Sequence, residues 1–301
     1  MRIAVTGASG FIGSELLELL KRRDDTELVA LTRDIINQNR NAECEWRMTD
    51  YSYESLTRVI KDVEVVIHLA GVRGTESDSD KFVVNERMTE NLLNAMSATG
   101  AKRIVFASTV SVYNDEKMIP WREEDPLQGR TAYGESKIRC EEMIREYAKR
   151  YGFTYGIARI AQVLGTGEKR RGMLSVFLEN AAAKSTLKVM GKSVVAKQYI
   201  YVEDLVNVLG LLAYGEKHFS DMQNITVNVG MQNAYTNLEV ARFVNKAFGN
   251  ETPIDYDDSY PETGRAFCMD TGKLRNDLNY IPRDMEGALR DIAGQHRNDD
   301  V

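Results

Sequence analysis

The chain has 301 residues, of which 43% are apolar and 28% charged, and a formal net charge of −6. That is the make-up of a globular protein with enough residues for a substantial core and one or two domains. The charge offers no broad attraction for nucleic acid or an anionic membrane surface, and the apolar runs are too short to span a bilayer.

The first element is a short apolar strand at residues 2–6. Gly7-Ala8-Ser9-Gly10-Phe11-Ile12-Gly13 follows at once, and leucines at helical spacing come next, Leu16, Leu17, Leu19 and Leu20. Glycine lacks the Cβ that would stop a backbone turning tightly or nearing a ligand. The helix N-terminus after it offers free N–H groups and the positive end of a dipole, which suits a pyrophosphate. The spacing is G-x-x-G-x-x-G, and between a strand and a helix it predicts a dinucleotide-binding turn. A tight strand-to-helix turn without a ligand is the alternative. Because the sequence opens on this strand, no signal peptide is expected. Cys44, Cys140 and Cys268 lie far apart and are expected to be reduced thiols of a cytoplasmic protein. His68, His218 and His296 are scattered, no Cys/His cluster has ligand spacing, and no metal is expected.

Strand patterns at 28–31, 65–69, 103–107 and 154–159 alternate with helical patterns at 55–61, 82–99 and 132–151. That alternation predicts an α/β, Rossmann-like doubly wound parallel sheet covered on both faces. After Arg159 the pattern becomes irregular. Residues 165–172 read as a loop whose basic triplet, Lys169-Arg170-Arg171, is a solvated run or a phosphate contact. A helix at 173–183, strands at 193–202 and 225–229 with a helix at 204–214 between them, and helices at 236–248 and 271–278 follow. They predict a smaller, discontinuous C-terminal α/β lobe over the C-terminal edge of the sheet, where ligands of such sheets bind. The expected division is a dinucleotide-binding domain at 1–164, with returning segments at about 194–230, and a substrate lobe at 165–193 and 231–301.

Tyr133 and Lys137 stand four residues apart near the start of a helix, so both lie on one face. A nearby ammonium favours the phenolate and is expected to lower the tyrosine pKa. A tyrosine tuned in this way exchanges a proton with a hydroxyl near neutral pH. Ser108 and Thr109 follow a strand that ends at Ala107. They are either a local cap or the hydroxyl that orients a substrate oxygen beside Tyr133.

Taken in order, these pieces resemble the extended short-chain dehydrogenase/reductase family, in its NAD-dependent epimerase/dehydratase branch for nucleotide sugars. The matching residues are Thr6 to Gly13, Asp50-Tyr51, His68-Leu69-Ala70-Gly71, Val84-Asn85 with Thr89 and Asn91-Leu92-Leu93, Ser108-Thr109 with Val112-Tyr113, Tyr133 with Ser136-Lys137, Tyr201-Val202-Glu203-Asp204, and Asn228-Val229-Gly230. The resemblance implies that Gly7, Gly10, Gly13 and the amides of Phe11 and Ile12 hold the pyrophosphate. It places Asp50 and Tyr51 at the adenine, and Leu69, Ala70 and Gly71 along the ribose and nicotinamide. His68 is then a packed strand residue. Lys137 also binds the nicotinamide ribose, and Thr109 and Tyr133 contact the sugar hydroxyl that is oxidised. Members often form homodimers through the helices at 82–99 and 132–151.

The cofactor is NAD or NADP. An acid at the end of the second strand binds the ribose of NAD, while an arginine accommodates the 2′-phosphate of NADP. Arg33 falls at that point and leans toward NADP, or it stacks on the adenine. Dehydratases of the branch carry an Asp-Glu pair after the active-site threonine, whereas Val110-Ser111 follow Thr109 here. The resemblance therefore implies a UDP-hexose or UDP-N-acetylhexosamine 4-epimerase working through a transient 4-keto sugar, with an NADPH-dependent 4-ketoreductase as runner-up. A dehydratase or a non-catalytic dinucleotide-binding protein fits less well. Gln162 stands where the family places a diphosphate-binding asparagine, Lys197 where it places an arginine, and Arg265 near a second diphosphate-binding arginine.

Overall fold

The computed structural model describes residues 1–34, 44–74, 80–168, 172–215, 224–262 and 264–299. The basic triplet at 169–171 lies outside them. In chain order the elements are β1 (Arg2–Thr6), α1 (Phe11–Leu20), β2 (Glu27–Thr32), β3 (Glu45–Met48), α2 (Tyr53–Val59), β4 (Val65–His68), α3 (Asp80–Thr99) and β5 (Arg103–Thr109). Then come α4 (Ala132–Tyr151), β6 (Thr154–Ile160), β7 (Gln162–Leu164), α5 (Met173–Ala182), β8 (Lys188–Met190), β9 (Lys197–Tyr201) and α6 (Val202–Tyr214). The chain closes with β10 (Asn224–Val229), β11 (Ala234–Tyr235), α7 (Asn237–Phe248), β12 (Asp255–Asp257), α8 (Gly272–Asp277) and α9 (Met285–Asp299).

Seven strands form one parallel sheet in the order β10-β6-β5-β4-β1-β2-β3. Side chains alternate across a strand, and here both faces are apolar because both are covered. Ile3, Val5, Val65, Ile67 and Val105 enter one core with Leu16, Leu20, Leu205 and Leu209 of α1 and α6. Ala4, Val66, Ile104 and Phe106 enter the other with Leu56, Leu92, Met96 and Ile144 of α2, α3 and α4. This is the Rossmann-like doubly wound fold that the alternation predicts. A three-stranded sheet, β11-β9-β7, and a two-stranded one, β12-β8, stand apart from it. Among the described residues, no helix is long and apolar enough to cross a membrane.

Several elements differ from expectation. The strand expected at 193–202 is only Lys197–Tyr201, because Val202 already opens α6. Strand β3 has no apolar run, since Glu45-Trp46-Arg47-Met48 is a partly exposed edge. Helix α9 carries Met285, Ala288, Leu289, Ile292 and Ala293 at helical spacing, but Gly287 and Gly294 blur its composition.

One buried ion pair ties the second half of the sheet together. Arg159 of β6 is 2% exposed and Glu141 of α4 is 0% exposed. The pairing is bidentate, with Nε to Oε1 at 3.1 Å and Nη2 to Oε2 at 2.8 Å. The remaining capacity is used: Arg159 Nη1 donates to the Tyr113 hydroxyl and the Glu123 carbonyl, and Glu141 accepts from Ser108 and Arg145. Tyr113 in turn donates to Asn228 of β10 at 2.8 Å. Burial works to raise the Glu141 carboxyl, but the hydrogen bonds and charge of Arg159 hold it below its ordinary value.

Glu141→Gln leaves Arg159 buried without its counter-charge and is expected to cost about 3–5 kcal/mol in denaturant unfolding. A loss below about 1 kcal/mol, the range of an exposed pair, would contradict the role given to this pair. The folded carboxyl titrates below 4.5, so its contribution is complete above pH 4.5 and fades as the pH falls through the folded value.

Candidate active site

The site is built where β1, β4 and β5 end. Gly7 has φ of +67°, a region that suits glycine, and a Cβ there would stand 2.9 Å from the Ala70 amide nitrogen. A Cβ on Gly13 would run into the Gly7 carbonyl, so α1 starts hard against the turn. Its N-cap, Gly10, has no side chain to cap with, and the first helical bond runs from Ser14 N–H to the Gly10 carbonyl. The amides of Phe11, Ile12 and Gly13 precede that bond. A cradle that any Cβ would fill, followed by an uncapped helix N-terminus, fits the pyrophosphate of a nicotinamide dinucleotide.

The other residues expected around that group gather at the turn. Leu69 and Ala70 donate their N–H groups to Thr6 Oγ1, at 3.1 Å each. A Cβ on Gly71 would lie 3.7 Å from Lys137 Nζ. Tyr51 is 6% exposed, and its hydroxyl accepts the Gly7 N–H at 3.3 Å, so it supports the turn from beneath. Asp50 is exposed, and its carboxylate accepts from Ser52, which holds it below its ordinary pKa. Arg33 is exposed and close enough to Tyr51 for its charge to act on that hydroxyl.

A relay of polar side chains fixes the loop after β4. Thr6 Oγ1 already accepts two amides, so its hydrogen goes to His68 Nδ1, 2.7 Å away. The imidazole proton therefore sits on Nε2 and is donated to Thr89 Oγ1 at 3.3 Å. Thr89 passes its own hydrogen to the Asn85 carbonyl at 2.8 Å. The Asn85 side chain then takes the Val72 N–H at 2.7 Å and donates to the Val72 carbonyl and to Ser136. Burial, helped by the Lys137 charge, pushes the His68 pKa down to about 3. His68 is a packed, neutral connector.

Tyr133 and Lys137 stand on the first turns of α4, whose N-cap Thr131 accepts the Gly134 N–H at 3.1 Å. A Cβ on Gly134 would run into the Ser111 carbonyl. Glycine there lets α4 press against the turn that begins at Thr109. The Thr109 hydroxyl accepts the Ser111 N–H at 3.2 Å and keeps its own hydrogen to give. Ser108 points the other way, to Glu141, so its role is structural. Lys137 Nζ donates to the Ala107 carbonyl at 2.8 Å and lies 4.3 Å from the Phe106 ring centroid.

The expected lowering of the Tyr133 pKa by Lys137 does not hold in the protein alone. Burial pushes the hydroxyl up to about 12, and the cation that pulls it back is Arg73. Lys137 is committed to Ala107 and Phe106, and burial lowers its own pKa. Arg73 follows the anchored Val72 and reaches Glu168 at 3.3 Å.

Gln162 is exposed on β7 opposite Tyr199, two positions from Lys197 on β9. Arg265 donates to Asn114 Oδ1 at 3.2 Å. Gln198 is fully buried and bridges Met231 and Met269. Sequence reasoning placed Asn85 in a motif without giving it a role, and it passed over Gly134 and Arg73. An asparagine inside a long helix and a glycine in a first turn are both poor helix formers, and that was the available signal. Among the described residues, no group of three or more His, Cys, Asp or Glu could hold a metal ion.

The NAD-dependent epimerase/dehydratase family model matches residues 3–230. The UDP-N-acetylglucosamine 4-epimerase of Bacillus cereus has a similar structure, with a TM-score of 0.87 and 30% identity over 99% of both chains. The UDP-glucose 4-epimerase of Azospirillum brasilense is 25% identical across 99% of this chain and 92% of its own. That of Thermus thermophilus, crystallised with NAD, shares the fold at a TM-score of 0.82, with 23% identity over 99% of both chains.

Nitrogen NMR of His68 is expected to show one neutral Nε2–H tautomer from about pH 5 to about pH 9. A midpoint near the ordinary 6.5 would contradict the relay. The folded pKa is depressed, so the stability that depends on neutral His68 is complete above pH 6.5 and is lost as the pH falls from 6.5 toward about 3.

Proposed function

The chain belongs to the NAD-dependent epimerase/dehydratase family and is an enzyme, and on that premise we propose that it is a nucleotide-sugar 4-epimerase acting on a UDP-hexose or UDP-N-acetylhexosamine. The observation that carries this reading is the site itself. A threonine hydroxyl and a Tyr-Lys pair stand at the sheet edge beside a dinucleotide cradle, and Val110 and Ser111, which are not acids, follow the threonine.

Thr109 donates to the C4 oxygen of the sugar and holds it at Tyr133. The Tyr133 phenolate takes the C4 hydroxyl proton and later returns it. When bound, an oxidised nicotinamide would supply a reversible hydride acceptor for the sugar C4 and a positive charge beside the tyrosine. Lys137 holds the nicotinamide ribose, and Arg73 keeps a second cation near the phenolate. Together these charges offset the burial that holds the Tyr133 hydroxyl near 12 in the protein alone. Gly7, Gly10, Gly13, Phe11 and Ile12 cradle the pyrophosphate, and Leu69, Ala70 and Gly71 line its course. Asp50, with Tyr51 behind it, meets the adenosine end.

The dinucleotide in this reading is NAD. The lean toward NADP drawn from Arg33 has no support in the Thermus thermophilus enzyme, whose structure holds NAD. Arg33 then covers the adenine. Gln162, Lys197 and Arg265 bind the nucleotide diphosphate. Residues 1–164 with 194–230 serve the dinucleotide, and 165–193 with 231–301 serve the sugar nucleotide. A cytoplasmic homodimer through α3 and α4 completes the proposal.

Proton NMR of the purified protein with UDP-, dTDP-, GDP- and CDP-sugars, without added cofactor, is expected to show interconversion of a UDP-sugar C4 epimer pair. Stoichiometric oxidation of NADPH by a 4-keto sugar, with no epimer pair interconverted, would replace this reading with the ketoreductase. Tyr133→Phe is expected to lower turnover by about 100- to 10,000-fold while dinucleotide binding persists. Turnover near that of the parent would remove Tyr133 from the mechanism.

A further inference from the structure

Cations left over from the fold gather around the loop that follows Thr109. Arg130 precedes the N-cap of α4, and its N–H donates to the Ser111 carbonyl at 2.9 Å. Its side chain is half-buried, and among the described residues it has no hydrogen-bond or ion-pair partner. Arg265 stands over the same loop, with Nη1 3.2 Å from Asn114 Oδ1 and Nε 3.7 Å from Glu116 Oε1. Lys197 lies beside it, since a Cβ on Gly264 would be 3.7 Å from Lys197 Nζ.

Burial lowers the Arg130 pKa, the like charge of Arg265 adds to that, and Glu116 opposes it. A half-buried guanidinium facing another guanidinium costs free energy unless an anion lies between them. Among the described residues, Arg265 has the Glu116 carboxylate within ion-pair distance, and Arg130 and Lys197 have none. The diphosphate of a nucleotide sugar carries two negative charges at neutral pH, and a single sugar carboxylate carries one. Guanidinium groups also match phosphate oxygens with two parallel N–H donors.

We propose that Arg130 is a substrate-binding residue that closes on the diphosphate of the nucleotide sugar together with Arg265 and Lys197. This rests on the nucleotide-sugar reading above and adds to it a contact from the strand-to-helix loop that also delivers Tyr133. Diphosphate binding would then draw Arg130 toward Arg265 across the mouth of the site.

The test uses NAD-saturated protein, so that the glycine turn is occupied, and compares the parent with Arg130→Ala and Arg130→Lys. UDP and inorganic pyrophosphate are titrated by calorimetry, and KM and kcat are measured on the UDP-sugar that turns over. Arg130→Ala is expected to weaken UDP and pyrophosphate about tenfold or more, the scale of one charged hydrogen-bonded contact. KM should rise by more than kcat falls, Arg130→Lys should recover part of the loss, and NAD affinity and melting temperature should stay at parent values. Unchanged UDP and pyrophosphate affinities in Arg130→Ala would overturn the proposal, as would a parent protein that binds neither anion. A loss confined to uronate-bearing nucleotide sugars, with UDP binding intact, would also overturn it. If the parent turns over no nucleotide sugar while Arg130→Ala still loses pyrophosphate, the epimerase reading fails and the anion site stands.

Discussion

The buried Arg159–Glu141 pair is the constraint on which the placement of Tyr133, Lys137 and Thr109 depends. Helix α4 carries Tyr133 and Lys137 at its start and Glu141 one turn beyond Lys137. Clamping Glu141 to Arg159 fixes both the rotation of α4 and its distance from β6. The same carboxylate takes the Ser108 hydroxyl, and side chains alternate along a strand. Pinning Ser108 on one face therefore presents Thr109 on the other. An apolar core could hold α4 in place with similar stability, but it would not set the rotation of a helix so narrowly.

A second polar network holds the opposite wall. The relay from Thr6 through His68 and Thr89 to Asn85 joins β1, β4 and α3, then reaches α4 at Ser136. Every member has a partner, which is the condition under which buried polar groups rigidify a structure. The loop it anchors, residues 69–72, brings Gly71 to where a Cβ would lie 3.7 Å from Lys137 Nζ. The glycine cradle, the loop and the Tyr-Lys helix are thus parts of one framework. Burial within this framework raises the Tyr133 hydroxyl to about 12, and the charge of Arg73 acts against that rise.

Much of this was legible in the sequence, for local reasons. The short apolar run at residues 2–6 gives the buried strand, and Gly7, Gly10 and Gly13 give the turn. Tyr133 and Lys137, four apart, share a helix face. Other features depend on contacts that no local pattern encodes. Arg265 meets Asn114 across 151 positions of sequence, and His68 meets Thr6 across 62. Spacing placed Lys137 beside the Tyr133 ring, at 5.9 Å from its centroid, but the pKa of Tyr133 depends on burial, which spacing does not encode. Strand β3 escapes a hydrophobic reading because the edge of a sheet needs few apolar residues.

In the proposed epimerase reaction, one sugar carbon loses and regains the same hydrogen inside this site. The most direct measurement gives the enzyme a UDP-sugar carrying deuterium at C4 and analyses the epimer formed by NMR and mass spectrometry. The account predicts that the product keeps the deuterium at C4, with none lost to solvent or to added unlabelled dinucleotide. Epimer formed with the C4 deuterium exchanged for solvent hydrogen would mean that the carbon is deprotonated instead, and would contradict the account.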